Sequence, residues 1–184
     1  WVGVQGFNRG DRVGEHDGCS ESSCNNIITN PNIYNVTYTG RYAGDERQMV
    51  TFRNNSAGQY ANSIFYQQYS GIDIEYLTSE SSYDQIQNGQ LELNNNIFFN
   101  ISHQPLLYVS PGQGITTEQE QSANQYLSEY FLASQNEIKD PGFIIEGLTF
   151  DLIPKNDVSS NLANYPSDNW FKEVDYKGAF DPQG

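Results

Sequence analysis

With 184 residues, of which 36% are hydrophobic and 14% aromatic, the chain is long enough to bury a core and fits one domain better than two. Its formal net charge of -14 repels phosphate backbones and anionic lipid headgroups, which argues against nucleic-acid and membrane-surface partners. No apolar run approaches the roughly 20 residues of a spanning helix, so no direct membrane span is expected.

The first segment, residues 1–32, reads as loop-rich. Arg9-Gly10-Asp11 matches a tripeptide of animal cell adhesion, but a plain turn with Gly supplying backbone freedom is the favoured reading. Asp11, Glu15 and Asp17 place three carboxylates on a Gly-rich loop, an arrangement suited to a hard cation such as calcium. Ion pairing of these acids with Arg9 and Arg12 on a solvated turn is the plainer alternative. Cys19 and Cys24 lie in a polar Gly, Ser and Asn loop, and a local disulfide in oxidising surroundings is expected there.

Residues 33–100 show short strand-like runs broken by Gly and Asn, and no long amphipathic helix fits there. In Ile72-Asp73-Ile74-Glu75-Tyr76 and Leu91-Glu92-Leu93, apolar and acidic residues alternate with the period of a strand that has one wet face. Tyr34-Asn35-Val36-Thr37-Tyr38, Ala61-Asn62-Ser63-Ile64-Phe65 and Asn95-Asn96-Ile97-Phe98-Phe99 repeat an Asn before a β-branched and aromatic run, at separations of 27 and then 34 residues. Asn tolerates the left-handed backbone of a tight bend, and its amide is expected to bond to the neighbouring coil. Asn35, Asn54 and Asn100 also open glycosylation sequons, read here as structural asparagines.

A capping box at Thr117-Glu118-Gln119-Glu120 predicts one amphipathic helix within 116–135, with Tyr126, Leu127, Tyr130, Phe131 and Leu132 on its apolar side. It is expected on the flank or open end of the stacked strands, covering their edges. Residues 142–180 are expected to hold final strands and an aromatic tail. The predicted class is therefore all-β: a right-handed parallel β-helix forming one domain over 1–184, read as a fragment of a longer solenoid.

Several of these motifs, taken in order, resemble a family. The run Arg9-Gly10-Asp11 to Gly14-Glu15-His16-Asp17-Gly18, then Pro31-Asn32-Ile33-Tyr34-Asn35-Val36-Thr37-Tyr38-Thr39-Gly40, is similar to a turn-and-strand pattern in large secreted or cell-surface β-helix proteins of Bacteroidota. Ala61-Asn62-Ser63-Ile64-Phe65 and Val174-Asp175-Tyr176-Lys177-Gly178-Ala179-Phe180 resemble further segments of that largely uncharacterised family. The resemblance implies an extracellular or cell-surface location, outside the outer membrane, and a preceding β-helical half or another protein subunit as partner. The Cys loop departs from the family pattern.

For chemistry the sequence offers little. His16 and His103 are the only histidines, so a multi-histidine metal site is excluded, and each is expected at a turn or surface. Asp73, Glu75 and Glu92 near Arg47 or Arg53 would suit polysaccharide cleavage if two carboxyls share a cleft. Tyr60, Tyr66 and Tyr76, with Tyr69 and Tyr83, offer faces for sugar stacking, against the alternative that they pack inward. The favoured function is a non-enzymatic structural or interaction protein, with no catalytic residue and no cofactor unless calcium binds. A carbohydrate-binding or polysaccharide-cleaving module is the alternative.

Overall fold

Segments rich in Ile, Phe, Tyr and Thr form short strands because branched and aromatic side chains pack well on a pleated surface. In the computed structural model, which describes residues 2–4, 12–19, 28–40, 47–103, 105–146 and 149–184, these strands pair in parallel in three sheets. A five-stranded sheet orders β1 (Val2–Val4), β4 (Thr37–Thr39), β7 (Ile64–Gln68), β10 (Ile97–Ile101) and β12 (Glu137–Ile138). A four-stranded sheet orders β2 (Gly14–Asp17), β5 (Gln48–Arg53), β8 (Ser70–Tyr76) and β11 (Leu107–Pro111). A three-stranded sheet orders β3 (Asn32–Tyr34), β6 (Gly58–Ala61) and β9 (Leu91–Asn94). The chain visits the three-, five- and four-stranded sheets in that order, three times over, from β3 to β11.

Two helices, α1 (Ser82–Gln87) and α2 (Thr117–Ala133), and an antiparallel pair, β13 (Ile144–Glu146) with β14 (Thr149–Asp151), complete the described elements. The expected all-β class with a single helix is thereby corrected. The described elements are several mostly parallel sheets with two helices, an α/β-like arrangement, and their pairing shows no closed solenoid. Parallel strands require crossover connections, and here one of these carries α1 and another α2.

Asparagine sets the corners in the left-handed backbone expected of it at Asn35 and Asn62, and the third corner is Asn95 rather than Asn96. Thr37, Ile64 and Ile97 share one register, and two residues before them stand Asn35, Asn62 and Asn95 at φ 53°, 52° and 59°. Gln135, at φ 55°, takes the same place before β12. The residue after each corner points inward and builds the ladder. The Val36 N–H donates to Ser63 Oγ (3.2 Å) across 27 residues, and the Ser63 N–H to Asn96 Oδ1 (2.9 Å) across 33. The Asn96 N–H donates to Asn136 Oδ1 (3.0 Å), and the Asn96 and Asn136 amides donate to the Tyr60 and Leu93 carbonyls (2.9 and 2.7 Å). Buried amides bonded this fully lose little on leaving water and fix the register of one strand on the next.

The inner strands β4 and β7 of the five-stranded sheet are buried on both faces, which explains the continuous apolar run Ile64-Phe65-Tyr66. Tyr38, Phe65 and Phe98 face the main core, with Phe65 and Phe98 stacked at 4.8 Å. Ile64, Tyr66 and Ile97 face a second cluster formed with Phe143, Leu152 and Val158. The C-terminal tail then straps the corner asparagines. Asn62 Nδ2 donates to the Ala163 carbonyl (3.0 Å) and its Oδ1 accepts from the Ala163 N–H (2.7 Å). Asn95 donates to the Asn161 carbonyl (2.8 Å) and Asn35 to the Tyr176 carbonyl (2.6 Å). Beyond them Lys177, fully buried, donates from Nζ to Glu137 Oε1 at 2.7 Å. Gly178 follows at φ 86°, where a Cβ would sit 2.7 Å from Ile64 Cδ1.

α2 begins one residue earlier than its sequence suggested. Thr116 is the cap, accepting from the Gln119 N–H (3.3 Å) while Gln119 Oε1 accepts from the Thr116 N–H (2.8 Å). Ala123, Leu127 and Phe131 are buried, whereas Leu132, expected on the apolar side, is 74% exposed. The helix lies across the last strands of the two smaller sheets: Asn124 Oδ1 accepts from the Val109 N–H (2.9 Å) and Tyr130 Oη from the Leu93 N–H (3.0 Å). Those edge groups are thereby satisfied.

Candidate functional site

Alternation on β2, β5, β8 and β11 sends His16, Phe52 and Ile74 inward and a charged row outward. On that outer face Arg53 meets Glu15 at 3.1 Å and Asp17 at 2.9 Å, and Arg12 meets Glu15 at 3.3 Å. Asp17 also accepts from the Asn54 amide, and these bonds, with the Arg53 charge, outweigh its slight burial and hold its carboxyl below the usual range. Of the calcium candidates, Glu15 and Asp17 are thus engaged by arginine, and Asp11 lies outside the described residues, as does the Arg9-Gly10-Asp11 tripeptide. Among the described residues no group of three or more His, Cys, Asp or Glu is arranged to hold a metal. Cys19 is disulfide-bonded, and Cys24 lies outside the described residues.

Asp73 and Glu75 share this outer face with Arg53. Glu92 does not: it pairs across from Gln59 on the three-stranded sheet and accepts from the Gln59 and Asn94 amides. Asp73 is nearly covered, and burial raises its pKa although the Ser110 hydroxyl and Arg12 pull it down. Alternation along one strand puts residues i and i+2, here Asp73 and Glu75, on the same face, about 7 Å apart at their Cα atoms. The surrounding face is a sheet surface on which Glu75 is occupied by the Asn54 N–H (2.7 Å).

His16 is not on a turn but in the core wall. Its ring stacks on Phe52 with centroids 4.5 Å apart, and its Nε2 lies 2.8 Å from Tyr60 Oη, which in turn lies 3.1 Å from Tyr38 Oη. Burial lowers the imidazole pKa to about 4 and, together with Tyr38, pushes the Tyr60 phenol far up. His103 stacks on Tyr69 with centroids 5.8 Å apart. Of the sequon asparagines, Asn35 and Asn54 have their amides bonded within the protein, and Asn100 is exposed.

The three candidate binding tyrosines separate. Tyr60 (1% exposed) is core, and Tyr66 (9%) lies under Phe143 at 5.1 Å, so neither offers a face to a sugar. Tyr76 is half-buried at the end of β8, where it joins Tyr83 from α1 and Tyr126 from α2 around a cleft of about 480 Å³. Tyr76 and Tyr83 have centroids 4.5 Å apart, and Tyr126 stands edge-on to Tyr83 at 6.0 Å and 90°. Gln87 Nε2 donates to Tyr83 Oη (3.2 Å). Glu118, Gln119 and Ser122, from the first turns of α2, complete the rim.

This cleft escaped the sequence because α1 did. Its one local signal was Ser81 three residues before Asp84, a capping box in which Asp replaces the usual Glu or Gln: Ser81 Oγ accepts from the Asp84 N–H (3.2 Å) and Asp84 Oδ2 from the Ser81 N–H (2.9 Å). Tyr126, expected on the apolar side of the helix, is half-buried against the core and also lines the cleft. No protein-family model matches the chain, and no curated protein or solved structure matches it either. Among the described residues no helix is long and apolar enough to cross a membrane.

Proposed function

We propose that the chain is a non-enzymatic structural and interaction protein of the extracellular space or cell surface, working as part of a larger assembly. The observation that carries this reading is an asymmetry of sheet edges. At one end α2 covers β9 and β11, while at the other β1, β2 and β3 each close their sheet as edge strands, with no further strand beside them among the described residues. Three parallel edges at one end make a template for strand addition by another protein segment or subunit. The disulfide at Cys19 fits an oxidising compartment, and the acidity fits a soluble exterior protein that avoids nucleic acid. Calcium at Glu15 and Asp17 would have to displace Arg53. The resemblance of the sequence motifs to those of Bacteroidota surface proteins is part of the same proposal.

The carbohydrate-active alternative is favoured by one observation, the tyrosine-lined cleft. Catalysis and binding are separable. Incubation with a panel of neutral and acidic polysaccharides, with and without calcium, is expected to release no reducing ends. Release that disappears on Asp73→Asn would overturn the non-enzymatic reading and give the outer carboxylates a catalytic role.

A further inference from the structure

We infer that the cleft between α1, α2 and the end of β8 is a binding site for a neutral oligosaccharide, stacked on Tyr76 and Tyr126 and hydrogen-bonded from the α2 rim. This rests on the carbohydrate-binding alternative and narrows it to a place, a ligand and a non-catalytic role. The volume of about 480 Å³ falls within the roughly 300–1,000 Å³ of small-molecule sites. Its surfaces are of two kinds. Tyr83, 5% exposed, is a fixed floor whose orientation is held by Gln87, while Tyr76 and Tyr126 are half-buried and turn part of each ring toward the opening. Phenol rings beside a carboxylate, an amide and a hydroxyl match a pyranose, whose apolar C–H face packs on an aromatic ring while its equatorial hydroxyls bond outward.

Charge selects among sugars. The chain carries a net -14, and Glu118 on the rim is held ionised by backbone and Thr116 hydrogen bonds, so uronates and phosphorylated sugars are repelled. A quaternary ammonium ion is the other ligand that tyrosines and a carboxylate attract, but it needs rings spaced to enclose it. Here Tyr76 and Tyr83 are in mutual contact at 4.5 Å with their planes tilted by 53°, which leaves no room for a cation between that pair, and each ring offers its own face to a ligand.

The test is a calorimetric titration of the whole chain with neutral gluco-, manno- and xylo-oligosaccharides, with uronate oligomers and choline as parallel probes. At least one neutral series is expected to bind, with affinity falling about ten-fold in Tyr126→Ala and Tyr76→Ala and retained in Tyr126→Phe, as the loss of one stacking partner requires. Ser122→Trp fills the opening from an exposed helix position and is expected to abolish binding without touching the core, so a folding defect in an alanine variant leaves the outcome readable. Neutral binding that all these variants preserve would overturn the site while leaving the carbohydrate reading intact. Binding of choline or uronates alone would overturn the ligand, and no binding of any sugar would overturn the carbohydrate reading itself.

Discussion

Protonating His16 requires charging a ring packed flat on Phe52 with a tyrosine hydroxyl at its Nε2. Because the folded pKa is about 4 and the ordinary value 6.5, the unfolded chain takes up the proton first as pH falls. Stability is therefore full above about pH 6.5 and declines through the window down to about 4, by on the order of 3 kcal/mol. Denaturant midpoints at pH 7 and pH 4 are expected to differ accordingly in the native chain, and the difference is expected to shrink by about that amount in His16→Phe. An unchanged pH slope in the variant would place the acid sensitivity elsewhere. Asn62 divides differently. Asn62→Ala loses both the tolerance of φ 52° and the two bonds to Ala163, about 2–3 kcal/mol together, whereas Asn62→Gly restores the backbone and loses about 1–2 kcal/mol. Thermal melts of the pair check the ordering. The left-handed corner was legible at Asn35 and Asn62, whose residue type adopts it cheaply, but the spacing of 34 pointed to Asn96 where the corner is Asn95, and the destination of the corner amides was not legible. Their partners lie 66 to 141 residues away in the tail, and nothing local encodes that distance.

Among elements, the tail is the one whose role depends most on charge. Lys177 is fully buried and desolvation lowers its pKa, while for Glu137 the upward push of burial is outweighed by Lys177, the Ser160 hydroxyl and Lys139 together, which hold its carboxyl below the usual range. Removing the two partners is not equivalent. Glu137→Ala strands a buried ammonium and is expected to destabilise by about 3–5 kcal/mol, whereas Lys177→Met fills the same space and leaves a carboxylate that reaches water and Ser160, so its loss is smaller. Equal or reversed losses in chemical denaturation would show that the pair does not anchor the strap. The strands were readable from period-two alternation at 72–76 and 91–93, and α2 from its helical spacing, one residue off at the cap. α1 was not, since six residues give less than two turns of periodicity and its capping Asp is the weaker form of the signal. With α1 went the cleft: Tyr76 and Tyr83 were both legible as stacking candidates, but their meeting with Tyr126 was not.

At the scale of the whole molecule, the repeat predicted which residues recur but not the class. Strand partners 22 to 40 residues apart, two crossovers carrying helices and an antiparallel pair turned an all-β expectation into several mostly parallel sheets with helices. Sequence spacing measures the length of a circuit, whereas closure depends on side-chain packing that the spacing does not contain. Among the described residues the assembled sheets add direction: an end where α2 covers β9 and β11, and an end where β1, β2 and β3 are edge strands. An interaction protein uses such an end and an isolated one must shield it, since unpaired strand edges invite association. The decisive measurement is the mass and composition of the native particle at native concentration, by light scattering and native mass spectrometry after gentle isolation. A particle in which another protein segment or subunit co-purifies and cross-links to β1, β2 or β3 is the expected result. A monodisperse free monomer would contradict the reading and shift the search for function to the tyrosine cleft.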